Sequence, residues 1–151
     1  MRKQYHFRGG PNGLRAWDVH RLVELAKDLP VVKVPLFAIR ELDEPYWYEH
    51  GSVPTCRSVA EHAKLINETD LKFPLILSSD GRIMDGMHRA AKAAMQKIDS
   101  LPAKQFRQDP EPDYVGVDPD DLPYLVKLGH YPNRAKVAIG STRTGFFLRL
   151  T

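Results

Sequence analysis

The chain has 151 residues, 42% hydrophobic and 27% charged, with a formal net charge of +3. That balance suits one soluble globular domain with its own core and a small appendage. The weak positive charge permits a polyanionic ligand but argues against strong nucleic-acid contact. The single cysteine, Cys56, excludes an intramolecular disulfide and a multi-cysteine zinc site, and no apolar run is long enough to span a membrane.

The first ten residues, MRKQYHFRGG, are basic but lack the apolar run of a secretory signal, so a cytoplasmic protein is expected. Residues 1–13 read as a mobile, glycine-rich arm. Asp18 fits an N-cap, with Trp17 and Leu22 placed for a hydrophobic staple. Val19, Leu22, Val23 and Ala26 then share one helical face, and Pro30 ends the helix. Residues 31–39 (VVKVPLFAI) read as a strand in which Pro35 favours an edge position.

An acidic, aromatic stretch follows, with Glu41, Asp43, Glu44, Tyr46, Trp47 and Tyr48. A surface loop or short helix over packed aromatics is one reading; a carboxylate beside a bound ligand is the other. A helix is expected near Ser58, where Ser58 and Glu61 match a capping box, or one turn earlier at Thr55. Val59, Ala63 and Ile66 would form its buried face, leaving His62 and Lys64 exposed.

Residues 74–94 (PLILSSDGRIMDGMHRAAKAA) carry the strongest local signal. Residues 75–77 and 82–84 read as two short strands joined by the turn Ser79-Asp80-Gly81. Asp85-Gly86 breaks the second strand and opens an alanine-rich helix over residues 87–97. The first N–H groups of a helix lack internal partners, and its dipole favours negative charge there. Gly86 permits close approach to the backbone. Arg89 can grip phosphate oxygens through two parallel N–H bonds, and His88 can donate a hydrogen bond or move a proton near neutral pH. Asp85, Gly86, Met87, His88 and Arg89 are therefore the candidate phosphate-binding residues.

Residues 101–106 read as another strand. From Asp109 the composition changes: residues 109–121 hold six carboxylates, three prolines and no positive charge, the pattern of a solvated linker. Beyond it, residues 122–128 suggest a short helix, and residues 136–139 and 146–150 a terminal hairpin. The expected division is a domain over 1–108 including the arm, a linker over 109–121, and an appendage over 122–151. The expected fold class is α+β, a small mixed sheet with packed helices.

The order of elements over residues 31–106, with Asp85-Gly86-Met87-His88-Arg89 after a hairpin, resembles the ParB/sulfiredoxin-like superfamily. The glycine–x–x–arginine–x–x–alanine box of that family falls on Gly86, Arg89 and Lys92-Ala93, with the alanine displaced by one residue. Met87 stands where sulfiredoxins carry their cysteine, so repair of a sulfinic acid by that thiol chemistry is not expected. The resemblance implies ATP or CTP bound through its phosphates, with Mg2+, in a phosphotransferase or nucleotide hydrolase. It also implies a catalytic role for an acidic residue after the first strand, Glu41 or Glu44; His88, from its own chemistry, is the third catalytic candidate. A non-catalytic module that senses a nucleotide, or docks a protein partner on the 46–48 aromatics and the acidic stretch, is the alternative.

Overall fold

A computed structural model describes residues 3–48 and 53–124 of the chain. It is a mixed α+β structure with three α-helices and two small sheets among the described residues. The strands are β1 (Tyr5–Arg8), β2 (Arg15–Asp18), β3 (Val32–Pro35), β4 (Leu75–Leu77), β5 (Ile83–Asp85), β6 (Ser100–Gln105) and β7 (Tyr114–Val115). The helices are α1 (Val19–Leu25), α2 (Cys56–Glu68) and α3 (Met87–Met95).

The larger sheet has the order β3-β6-β4-β5. Its β6–β4 pair is parallel and its other pairs are antiparallel, so it is the mixed sheet expected from sequence. Side chains alternate across it, as the two-residue period of a strand requires. Leu75, Leu77, Ile83, Leu101 and Ala103 face α3, where Met87, Ala90 and Ala93 complete the core. Ile76 and Met84 face the opposite way and pack with Trp17, Leu22, Ala26 and Phe106. Ala90 and Ala93 are fully buried. Their small side chains let α3 lie close to the sheet, and a larger residue would cost about 1–3 kcal/mol through overpacking.

Several elements form as read. Asp18 caps α1 by accepting from the His20 N–H, and Trp17 and Leu22 share a core. Val23 lies outside the buried face and is exposed. The strand expected over 31–39 is shorter: β3 stops at Pro35 and a 3-10 turn, Leu36–Ala38, follows. β3 lies at the sheet edge, as Pro35 implied. Helix α3 ends at Met95, and Lys97, with φ +55°, turns the chain toward β6.

Two segments expected outside the fold belong to it. The arm supplies β1, which pairs antiparallel with β2, and the acidic stretch supplies β7, which pairs with the other edge of β2. The prolines and carboxylates at 109–121 have specific partners rather than solvent alone. The Trp17 indole N–H donates to the Pro110 carbonyl at 2.7 Å. Asp113 accepts from the Asp18 N–H at 2.8 Å and from Arg21 at 3.1 Å. Tyr5 packs edge-on against Tyr114 and Tyr124 over Leu122. Residues 119–121 form a 3-10 turn and Leu122–Tyr124 are not helical. The remainder of the expected helix, and both strands of the expected hairpin, lie outside the described residues.

Arg8 and Asp109 join the two sheets. The Arg8 guanidinium donates to the buried Ser78 hydroxyl at 2.8 Å and lies 3.7 Å from Asp109, whose carboxylate accepts from the Ser79 N–H at 2.7 Å. His6, on β1, is buried against Trp17, its ring Nε2 without a hydrogen-bond partner among the described residues. Burial, helped by the nearby Arg8 charge, pushes the His6 pKa down to about 3.

Candidate functional site

Gly86 has φ +110°, a left-handed conformation that glycine adopts without the steric cost an L side chain would bear. That bend carries the chain from β5 into α3, and no side chain caps the helix N-terminus. A hollow of about 290 Å³ opens beside it, lined by Gln4, Leu65, Glu68, Thr69, Asp85, Gly86, His88 and Arg89. Of the five residues expected to bind phosphate, Asp85, Gly86, His88 and Arg89 line this hollow. Met87 does not; its side chain is buried in the core under α3.

Arg89 turns back over the bend. Its Nη2 donates to Asp85 Oδ2 at 2.6 Å and to the Pro74 carbonyl at 3.2 Å. Its Nε is buried and has no hydrogen-bond partner among the described residues. A Cβ on Gly86 would stand 2.7 Å from Arg89 Nη2 and from Leu75 Cδ2, and 3.0 Å from Arg89 Nε. The space opened by the missing side chain is thus filled by the guanidinium itself. This differs from the sequence expectation, in which Gly86 clears a path for phosphate to the backbone.

The charges around the hollow are mixed. Arg89 supplies one cation, while Asp85 and Glu68 supply two carboxylates. Burial lowers the His88 pKa to about 4, aided by the neighbouring His62 and Arg89, so the ring is neutral at pH 7. A bare anion meets as much repulsion as attraction here. A phosphate carrying a divalent cation suits the donor set better, with carboxylates toward the metal and guanidinium and helix amides toward the phosphate. Among the described residues no group of three or more His, Cys, Asp or Glu could hold a metal alone. Mg2+ commonly takes one or two carboxylates and completes its shell with substrate phosphates and water.

His88 is held from behind by residues that the sequence reading left out of the site. The Nε2 of His88 lies 3.1 Å from Nδ1 of His62, and the two rings share one hydrogen bond. Both rings stack on the Trp47 indole, with centroid distances of 5.0 Å for His88 and 4.2 Å for His62. His62 was expected in solvent. It is half-buried beneath Trp47. Helix α2 begins at Cys56 with Thr55 as its N-cap: the Thr55 hydroxyl accepts from the Ser58 N–H, and the Ser58 hydroxyl accepts from the Thr55 N–H. The inward face of α2 is therefore Ser58, His62, Leu65, Ile66 and Thr69, while Val59 and Ala63 point outward. The four-residue steps from Ser58 through His62 to Ile66 were the available signal, masked by apolar residues on the other face.

Glu41 and Glu44 do not line the hollow. Glu41 is buried; its Oε1 accepts from the Ile83 N–H at 2.8 Å and lies 3.5 Å from Arg82 Nε. Glu44 forms a two-pronged pair with Arg82 through Nη1 and Nη2. That hydrogen bonding lowers the Glu44 pKa. Both carboxylates thereby tie the 40–44 turn to the β4–β5 hairpin. Cys56 is exposed at the start of α2, and no helix among the described residues is long and apolar enough to cross a membrane. No family model, curated protein or solved structure matches the chain.

Proposed function

We propose that the hollow at the β5–α3 bend binds the phosphates of a nucleotide, ATP or CTP, as its Mg2+ chelate, in a fold of the ParB/sulfiredoxin-like kind. The observation that carries this reading is Arg89: a guanidinium beside an uncapped helix N-terminus, with a buried Nε that has no partner among the described residues. A buried unsatisfied N–H costs about 1–3 kcal/mol, and an oxyanion that drew the guanidinium toward the hollow would offset that cost. The volume, about 290 Å³, accommodates a phosphate chain and leaves the base outside.

Binding without turnover is the second reading, and one observation favours it. Neither Glu41, which is buried, nor Glu44, which is paired with Arg82, lines the hollow, so neither is placed to accept a proton from a hydroxyl attacking there. Catalysis through either requires the 40–44 turn to move toward the hollow. Thermal-shift measurements with ATP and CTP, with and without Mg2+, test the binding. A rise in Tm with the Mg2+ chelate, absent in Arg89→Gln, supports it. Turnover that is lost in Glu41→Gln or Glu44→Gln would replace the sensor by the enzyme.

A further inference from the structure

The stack of Trp47, His62 and His88 joins three separate segments: the turn before residue 49, the middle of α2 and the start of α3. Its two imidazoles lie side by side over one indole face and share a hydrogen bond. In the neutral pair one ring donates and the other accepts. A first added proton leaves that bond in place and makes it charge-assisted, which strengthens it. The indole face beneath attracts the resulting cation, with both ring centroids within about 6 Å. A second proton would set N–H against N–H and break the bond. The pair is thus built to hold one extra proton and to resist two.

The charged groups around it decide when that proton arrives. Glu61 on α2 favours charge on His62, and Asp85 on β5 favours charge on His88; Arg89 on α3 opposes it. Tyr48 meets His62 edge-on. Burial keeps both rings neutral at pH 7. His88 alone of the three also lines the hollow, so an oxyanion placed there would offset the Arg89 charge and the burial together.

We infer that the His62–His88 pair makes ligand binding at the hollow proton-linked: an oxyanion entering beside His88 draws one proton onto the pair, and affinity rises as the pH falls from neutral. The inference rests on the phosphate-binding reading above. The two rings titrate as a unit, so the midpoint belongs to the pair. His62 acts as a positioning residue: it holds His88 and shares the proton without lining the hollow.

The test is imidazole NMR of the full chain against pH, free and saturated with Mg-ATP or Mg-CTP, with His62 and His88 signals assigned by comparison with His62→Phe. The expected result is a midpoint raised by about one pH unit or more in the complex, and an affinity that rises as the pH falls through the midpoint of the complex, by up to about tenfold for each pH unit that the midpoint moves. In His62→Phe the pH dependence of affinity should flatten. Should that variant fail to fold, the wild-type spectra decide alone. Binding with unchanged midpoints overturns the proton linkage and leaves the phosphate reading standing. No binding of either chelate overturns both.

Discussion

Arg89 and Asp85 form a close ion pair across the bend, 2.6 Å between Nη2 and Oδ2, from the first turn of α3 back to the end of β5. Both side chains are mostly buried, so the pair matters to the fold as well as to any ligand. Arg89→Ala would leave the Asp85 carboxylate and the Pro74 carbonyl without their donor. A loss of about 1–3 kcal/mol is expected in denaturant unfolding. The double variant Asp85→Asn/Arg89→Ala should recover part of that loss, because no lone charge remains. Additive losses in the double-mutant cycle would show that the two residues do not interact.

Gly86→Ala combines a left-handed backbone with a Cβ pressed on Arg89 and Leu75. Strain at such a position costs about 1–3 kcal/mol, and the Leu75 contact has little room to give in a packed core. The expected outcome is a lowered Tm with α3 retained by circular dichroism. A variant as stable as the parent would mean the bend is not held as described.

Asp113 tests whether the acidic stretch is part of the fold. Asp113→Ala removes the acceptor of the Asp18 N–H and of Arg21, and about 1–2 kcal/mol should be lost. A change within about 0.5 kcal/mol, the usual range for a solvated surface site, would contradict it.

The sequence reading located α1, the β4–β5 hairpin, α3 and the Asp85–Arg89 segment because their signals are local: an N-cap at Asp18, a turn at Asp80-Gly81, a glycine before an alanine-rich helix. β1 and β2 were missed although they are neighbours in sequence, because the glycine-rich segment between them reads as a mobile arm; β7 was missed because its evidence is distant. Two residues, Tyr114 and Val115, pair with β2 about a hundred positions earlier, and proline and aspartate around them suggest solvent. Ring stacking of Trp47 on His62 and His88 is invisible for the same reason, since three segments must first converge. Glu41 and Glu44 were singled out as acids; only coordinates reveal that Arg82 engages both.

Acid should destabilise the protein in a defined window. His6 and His88 have folded pKa values lowered to about 3 and about 4. Below the ordinary histidine value, near 6.5, the unfolded chain binds protons that the folded one refuses. Their contribution is therefore complete above about pH 6.5 and falls as the pH drops toward about 4 and then 3, by up to about 1.4 kcal/mol per pH unit for each group. Urea unfolding of the wild type and His6→Phe across that range checks this for the deeper ring. The variant should show a shallower acid slope; equal slopes would remove His6 from the account.

Whether a nucleotide occupies the hollow is answered most directly by calorimetric titration of Mg-ATP and Mg-CTP into the wild type and Arg89→Gln, after both are shown to be folded. Saturable one-to-one binding of at least one chelate to the wild type, weakened by about tenfold or more in the variant, is the predicted result. Equal affinity in the two proteins, or no heat with either chelate in the wild type, would contradict it.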